Sequence, residues 1–210
     1  MFTRWLAVKV LILFLFFESS LIVSHGSAIA ITTNSSAASA SQQDVGSKNF
    51  LVYQNPGYKV KINYPSDWTI SQTGLRDHSN IIAFYSPLEN ISDAFSEHVV
   101  ISLNHYSQNL SLSDYDKLVD NTLSPAGIKI VEPIKTVMLS GGRPAHTIVF
   151  APPTPPLGPN ALSKPIVKLL WTVLDNSVYT ISYNAEAARY STYLPLVQKM
   201  IDSFEITKQQ

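Results

Sequence analysis

The chain is 210 residues long with 15 basic and 15 acidic side chains, so its net charge is zero and no broad electrostatic case exists for nucleic acid or an anionic membrane surface. It has no cysteine, which excludes disulfides, thiol catalysis and lipid attachment through a cysteine. Stability must then come from an ordinary hydrophobic core, which a chain of this size can build.

Met1 to Lys9 carries Arg4 and Lys9, Val10 to Phe17 is an unbroken apolar run, and Ser27-Ala28-Ile29-Ala30 is a small-x-small site. These three parts predict a secretory signal peptide over residues 1–30, cleaved after Ala30. The alternative is an uncleaved anchor from Leu6 to Val23, which would leave the protein tethered at a surface. Lys9 and Glu18 interrupt that span, and its clean apolar core falls short of the roughly 20 residues a bilayer requires. No later segment is long enough to cross a membrane, so the remainder is expected to be soluble and extracytoplasmic. Residues 31–48 are rich in Ser, Ala, Thr, Asn and Gln without apolar periodicity, the composition of a flexible tether. The folded domain is expected over 49–207.

Phe50 to Tyr53 reads as a short strand and Asn55-Pro56-Gly57 as a turn. From Tyr58, the apolar positions Tyr58, Val60, Ile62 and Tyr64 alternate with Lys59, Lys61 and Asn63, the period of a strand with one buried face. Pro65 should end it, and Trp68 should turn back onto the core. Gln72 to Asn80 reads as a polar loop, Ile81 to Tyr85 as a strand stopped by Ser86-Pro87, and His98 to His105 as another with Val99, Ile101 and Leu103 on one face. Ser111 or Ser113 is expected to cap a helix through about Leu123, with Leu112, Tyr115, Val119 and Thr122 on one side and acids in its first turn. Ile128 to Leu139 is extended, with Pro133 marking an edge or a break. Ser140 to Pro144 makes a turn, and Ala145 to Ala151 a strand leading into a proline tract.

Val167 to Leu174 and Tyr179 to Ala185 form the clearest hairpin, joined around Asp175-Asn176-Ser177. The first of the two is apolar on both faces, which predicts a central place in the sheet. Leu194, Val197, Met200, Ile201 and Phe204 line a C-terminal helix, with a cap at Ser191 or Thr192 and Pro195 in its first turn. Six to eight strands with hairpin-length connections and two helices predict an α+β fold, a mainly antiparallel sheet covered by helices, in one domain.

Several of these pieces recur together in one family. Tyr58, Tyr64-Pro65-Ser66-Asp67-Trp68, Phe84-Tyr85-Ser86-Pro87, Gly142-Arg143-Pro144-Ala145, Trp171-Thr172-Val173, Tyr179, Tyr183-Asn184-Ala185 and Ser203-Phe204 span about Asn49 to Ile206. In this order the set resembles the PsbP-like proteins, named for the extrinsic protein of the oxygen-evolving complex of photosystem II. The resemblance implies an α/β/α sandwich with an antiparallel sheet, a fold shared with a Ran-binding nuclear-transport factor. It implies a non-catalytic assembly role, and calcium only by analogy with PsbP, which helps retain calcium and chloride at the manganese cluster. No ligand residue transfers by this resemblance.

The residues offer a few sites of their own. His98 and His105 lie seven apart and face opposite ways on a regular strand, whereas His105 shares the apolar parity and could meet His146 from another strand. Two imidazoles and a carboxylate suit zinc or copper; a hydrogen-bonded strand-end histidine is the commoner case. Asp114, Asp116 and Asp120 suggest calcium, but they sit on the predicted helix, where acids near its start suit the dipole. No serine lies in G-x-S-x-G, and Gly141-Gly142 lacks the lysine and hydroxyl of a phosphate loop. Six of the thirteen prolines fall between Pro152 and Pro165, which suits either a docking rib or a stiff connection. Asn34, Asn90 and Asn109 begin N-x-S sequons, glycosylation acceptors in form. The reading is a secreted or surface-tethered, non-enzymatic binding or assembly module with a protein partner or a membrane-associated complex. The alternative is an extracytoplasmic metal- or small-ligand-binding protein, with an unrecognised hydrolase third.

Overall fold

The structure, a computed structural model, describes residues 49–72, 80–91, 93, 95–124, 127–153 and 164–207. The expected signal peptide and tether, Asn34 and the 154–163 part of the proline tract lie outside the described residues. No helix among the described residues is long and apolar enough to cross a membrane.

Among the described residues, ten strands and two α-helices follow in the order β1 (Phe50–Asn55), β2 (Val60–Pro65), β3 (Thr69–Ser71), β4 (Asn80–Tyr85), β5 (His98–His105), α1 (Leu112–Leu123), β6 (Lys129–Leu139), β7 (Arg143–Ala151), β8 (Pro165–Leu174), β9 (Ser177–Glu186), α2 (Tyr190–Asp202) and β10 (Glu205–Ile206). A seven-stranded sheet has the order β3-β4-β5-β9-β8-β7-β6, and a three-stranded sheet the order β1-β2-β10. Each described strand pair is antiparallel. The α+β class and mainly antiparallel sheet expected above are what the chain builds.

The large sheet is buried on both sides. On one side α2 lays Tyr193, Leu196, Val197, Met200 and Ile201 against a core that includes Val60, Ile62, Trp68, Phe84, Ile101 and Tyr183. On the other side α1 lays Tyr115, Val119 and Leu123 on Ile148, Phe150, Leu169 and Trp171. The alternation read in β2 is used this way: Val60 and Ile62 are fully buried, Pro65 ends the strand, and Trp68 returns to the core. Tyr58 and Lys59 stand outside the strand, because Lys59 adopts φ 57° in the turn. Ser111 caps α1 with a complete capping box, as its sequence suggests, but Leu123 rather than Thr122 completes the buried stripe.

Four features depart from the sequence reading. β3 and β10 are too short to show a period and were not anticipated. Ten strands rather than six to eight result. β8 is interior as expected, between β9 and β7, but the middle strand of seven is β9; all but the last residue of β9 is buried, including Thr180, Ser182 and Asn184. Finally, α2 starts at Tyr190 after Arg189, so neither Ser191 nor Thr192 caps it and Pro195 lies inside the helix beyond its first turn. Pro195 is exposed, where its missing N–H is best tolerated.

Candidate functional site

Residues paired across neighbouring strands share a face of the sheet. One such row on the α1 side runs Thr136, His146, Trp171, Thr180, Ser102 and Asn80, crossing six strands from β6 to β4. Every member except Trp171 carries a polar side chain, and Trp171 contributes its indole N–H. At one end of this row, Asp116 of α1 reaches down to the sheet. Its Oδ1 accepts from Trp171 Nε1 at 3.0 Å, and His146 Nδ1 lies 2.8 and 2.9 Å from its two oxygens. A carboxylate only accepts, so His146 presents Nδ1–H to Asp116 and keeps Nε2 as its second nitrogen. At the other end Ser102 Oγ donates to Asn80 Oδ1 at 2.5 Å. Between the two ends, the buried Thr180 Oγ1 has no hydrogen-bond partner.

An imidazole oriented by a carboxylate is the base half of a nucleophile-activating arrangement. Thr136, which faces His146 from β6, is exposed and forms no hydrogen bond to the ring among the described residues. Asp116 ties α1 to β7 and β8 through the partly buried His146 and the buried Trp171. Sequence reading had singled out His146 and Asp116 separately, for different metals.

His105 does not join them. It ends β5 on the α2-facing parity, whereas His146 faces α1, and three strand spacings of about 4.8 Å separate them by roughly 14 Å across the sheet, with a further offset of about three residues along the strands. His105 is exposed and its Nδ1 contacts Ser177 Oγ at 2.9 Å. The shared metal site that their parity allowed is therefore not formed. Of the three acids of α1, Asp120 is exposed and the other two are engaged separately. Asp114 belongs to the capping box, where hydrogen bonds from Ser111 and then Lys117 hold its carboxyl down at about 2, while Asp116 serves His146 and Trp171. No group of three or more His, Asp or Glu side chains among the described residues is arranged to hold a metal ion.

A second constellation was not legible in the sequence. The loop that joins β4 to β5 is tied down at Ser86, Glu89, Asp93 and Glu97. Asp93 accepts from the backbone N–H of Glu89 at 2.9 Å and of Phe95 at 3.0 Å. Glu89 forms an ion pair with Arg189 at the start of α2. Glu97, 2% exposed, takes a 3.3 Å hydrogen bond from Ser86 Oγ while Ser86 N donates to its carbonyl at 2.8 Å. Burial pushes the Glu97 carboxyl up, with the nearby Asp93 charge adding to it. Burial likewise pushes the neighbouring Tyr193 hydroxyl up to about 12. The pinned loop carries Leu88, 47% exposed, and Ile91, fully exposed, outward from this anchor. A lone glutamate before a strand has no sequence signal that foretells burial.

No family model matches the sequence, and no curated protein matches it. Solved structures do match in backbone. The solution structure of cyanobacterial PsbP (CyanoP) from Synechocystis superposes with a TM-score of 0.51 at 15% identity, covering 79% of this chain and 97% of that one. The Ran-binding protein Mog1p of Saccharomyces cerevisiae gives 0.51 at 15% identity over 77% and 97%. LpqN of Mycobacterium tuberculosis, involved in cell envelope biogenesis, gives 0.52 at 14% identity over 71% and 83%. At these identities the likeness is one of fold.

Proposed function

We propose that this protein of PsbP-like fold is a secreted or surface-tethered, non-catalytic binding module that docks a protein partner in an extracytoplasmic complex. The observation that carries the reading is Ile91, wholly exposed beside Leu88 on a loop held in place by Asp93, Arg189 and Ser86. Single exposed apolar side chains are common on protein surfaces. What distinguishes this pair is that the chain on either side is pinned at Glu89 and Asp93, which lowers the conformational entropy lost on binding. Two further lines of support are the shared fold with Mog1p, described as Ran-binding, and with LpqN, involved in cell envelope biogenesis. The charged start, apolar run and small-residue site of residues 1–30 support export.

A photo-crosslinker placed at position 88 of the full chain, irradiated in the intact envelope of the host, tests this. One crosslinked protein is expected, lost in Ile91→Asp and retained in Met138→Asp, which alters an exposed side chain at the other end of the sheet. A chain that crosslinks to nothing and purifies with a stoichiometric metal would replace this reading with that of a metal-binding protein.

A further inference from the structure

We infer that Asn109 is an N-glycosylation site. The inference rests on the extracytoplasmic reading above. Of the sequons starting at Asn34, Asn90 and Asn109, the first lies outside the described residues, and Ser92 of the second does as well. Asn90 is further built into the turn of the pinned loop, where its carbonyl accepts from Asp93 N at 3.1 Å. Asn109 differs. It is exposed, in a stretch between the end of β5 and the start of α1 that belongs to no helix or strand. Among the described residues its amide has no hydrogen-bond partner to give up.

Its position in the domain favours a bulky substituent. Asn49, where the described chain starts, sits by Ser66, and β3 just beyond pairs with Tyr85, which pairs with His98. Asn109 follows His105 at the far end of β5, roughly 23 Å along that strand. A glycan there lies at the opposite end of β5 from Leu88 and Ile91, so it leaves the docking loop uncovered.

The chemistry is a transfer without redox change. The Asn109 Nδ2 bonds to the anomeric carbon of an oligosaccharide carried on a lipid phosphate, the bond from that carbon to the phosphate oxygen breaks with its electron pair, and the amide proton leaves to base. Ser111 supplies the sequon hydroxyl. In the folded chain that hydroxyl is engaged: it accepts from Asp114 N at 3.1 Å and donates to Asp114 Oδ2 at 2.5 Å. Modification therefore precedes closure of the cap, on the chain as it is exported.

The double use of Ser111 makes the test specific. The full chain is expressed in its own host, and intact masses are compared for the native protein, Asn109→Gln, Ser111→Thr and Ser111→Asp. Threonine keeps both sequon and cap, whereas aspartate keeps the cap and abolishes the sequon. An oligosaccharide mass on the native protein and on Ser111→Thr, absent from Asn109→Gln and Ser111→Asp, is expected. Protease accessibility on intact cells reports the location independently. An externally accessible protein of unmodified mass overturns the site and leaves the proposed function standing; a protease-protected, unmodified protein overturns both.

Discussion

Asp116 accepts hydrogen bonds from two donors beneath α1, and its removal strands both. Asp116→Ala is expected to destabilise the fold by about 2 kcal/mol, the scale for losing bonds to a charged acceptor, with a smaller loss in Asp116→Asn. Thermal unfolding followed by circular dichroism measures it, and an unchanged Tm would deny the tie its role. Glu97 makes the opposite prediction. Its folded carboxyl is raised above the ordinary 4.5, so the native state holds that proton more tightly than the unfolded state. Stability from this group is therefore complete below pH 4.5 and is lost as pH rises through the raised value. Glu97→Gln keeps an acceptor for Ser86 without the charge, and urea titrations should find it equal to the native protein at pH 4 but more stable at pH 7. A larger native advantage at pH 7 would contradict the assignment. Neither Asp116 nor Glu97 could be placed from sequence, since His146 lies 30 residues from Asp116 and no spacing rule joins them.

At the scale of elements, the sequence was most legible where local chemistry decides. Ser111 with Asp114 three residues on marks the start of α1, and Asp175-Asn176, both at positive φ, closes the β8–β9 hairpin. It was least legible in β9, where Thr180, Ser182 and Asn184 alternate with apolar residues as a half-exposed strand would. The strand is instead buried on both faces between β5 and β8. Asn184 Nδ2 satisfies Ser182 Oγ at 2.9 Å, whereas Thr180 Oγ1 is left unpaired. Thr180→Val removes that orphan at nearly constant shape, so it should be neutral or stabilise by about 1 kcal/mol, read from the denaturation midpoint. A clear loss of stability would reveal a partner for the hydroxyl. The start of α2 was misjudged for a related reason: Pro195 suggests a first turn, but Tyr193 and Leu196 pull the helix back to Tyr190 by packing.

For the molecule as a whole, two cores share one sheet. Trp68 reports the side covered by α2 and Trp171 the side covered by α1. Because β7, β8 and β9 contribute residues to both cores, the two should unfold together. Leu196→Ala on one side and Ile148→Ala on the other are each expected to cost about 2–5 kcal/mol. In a Trp68→Phe background, Leu196→Ala should shift the Trp171 fluorescence transition as far as the circular dichroism transition. Separate transitions would mean that the two cores are independent units.

The sequence by itself determined the α+β class, most strands, a serine cap at the start of α1 and the PsbP-like resemblance, because alternation, capping and turn chemistry act within a few residues of one another. Tertiary structure alone decided that β9 is the middle strand, that His146 meets Asp116 rather than His105, and that Glu97 is buried. Those outcomes depend on strand order and on which face each strand turns to a helix, and contacts between residues tens of positions apart set both.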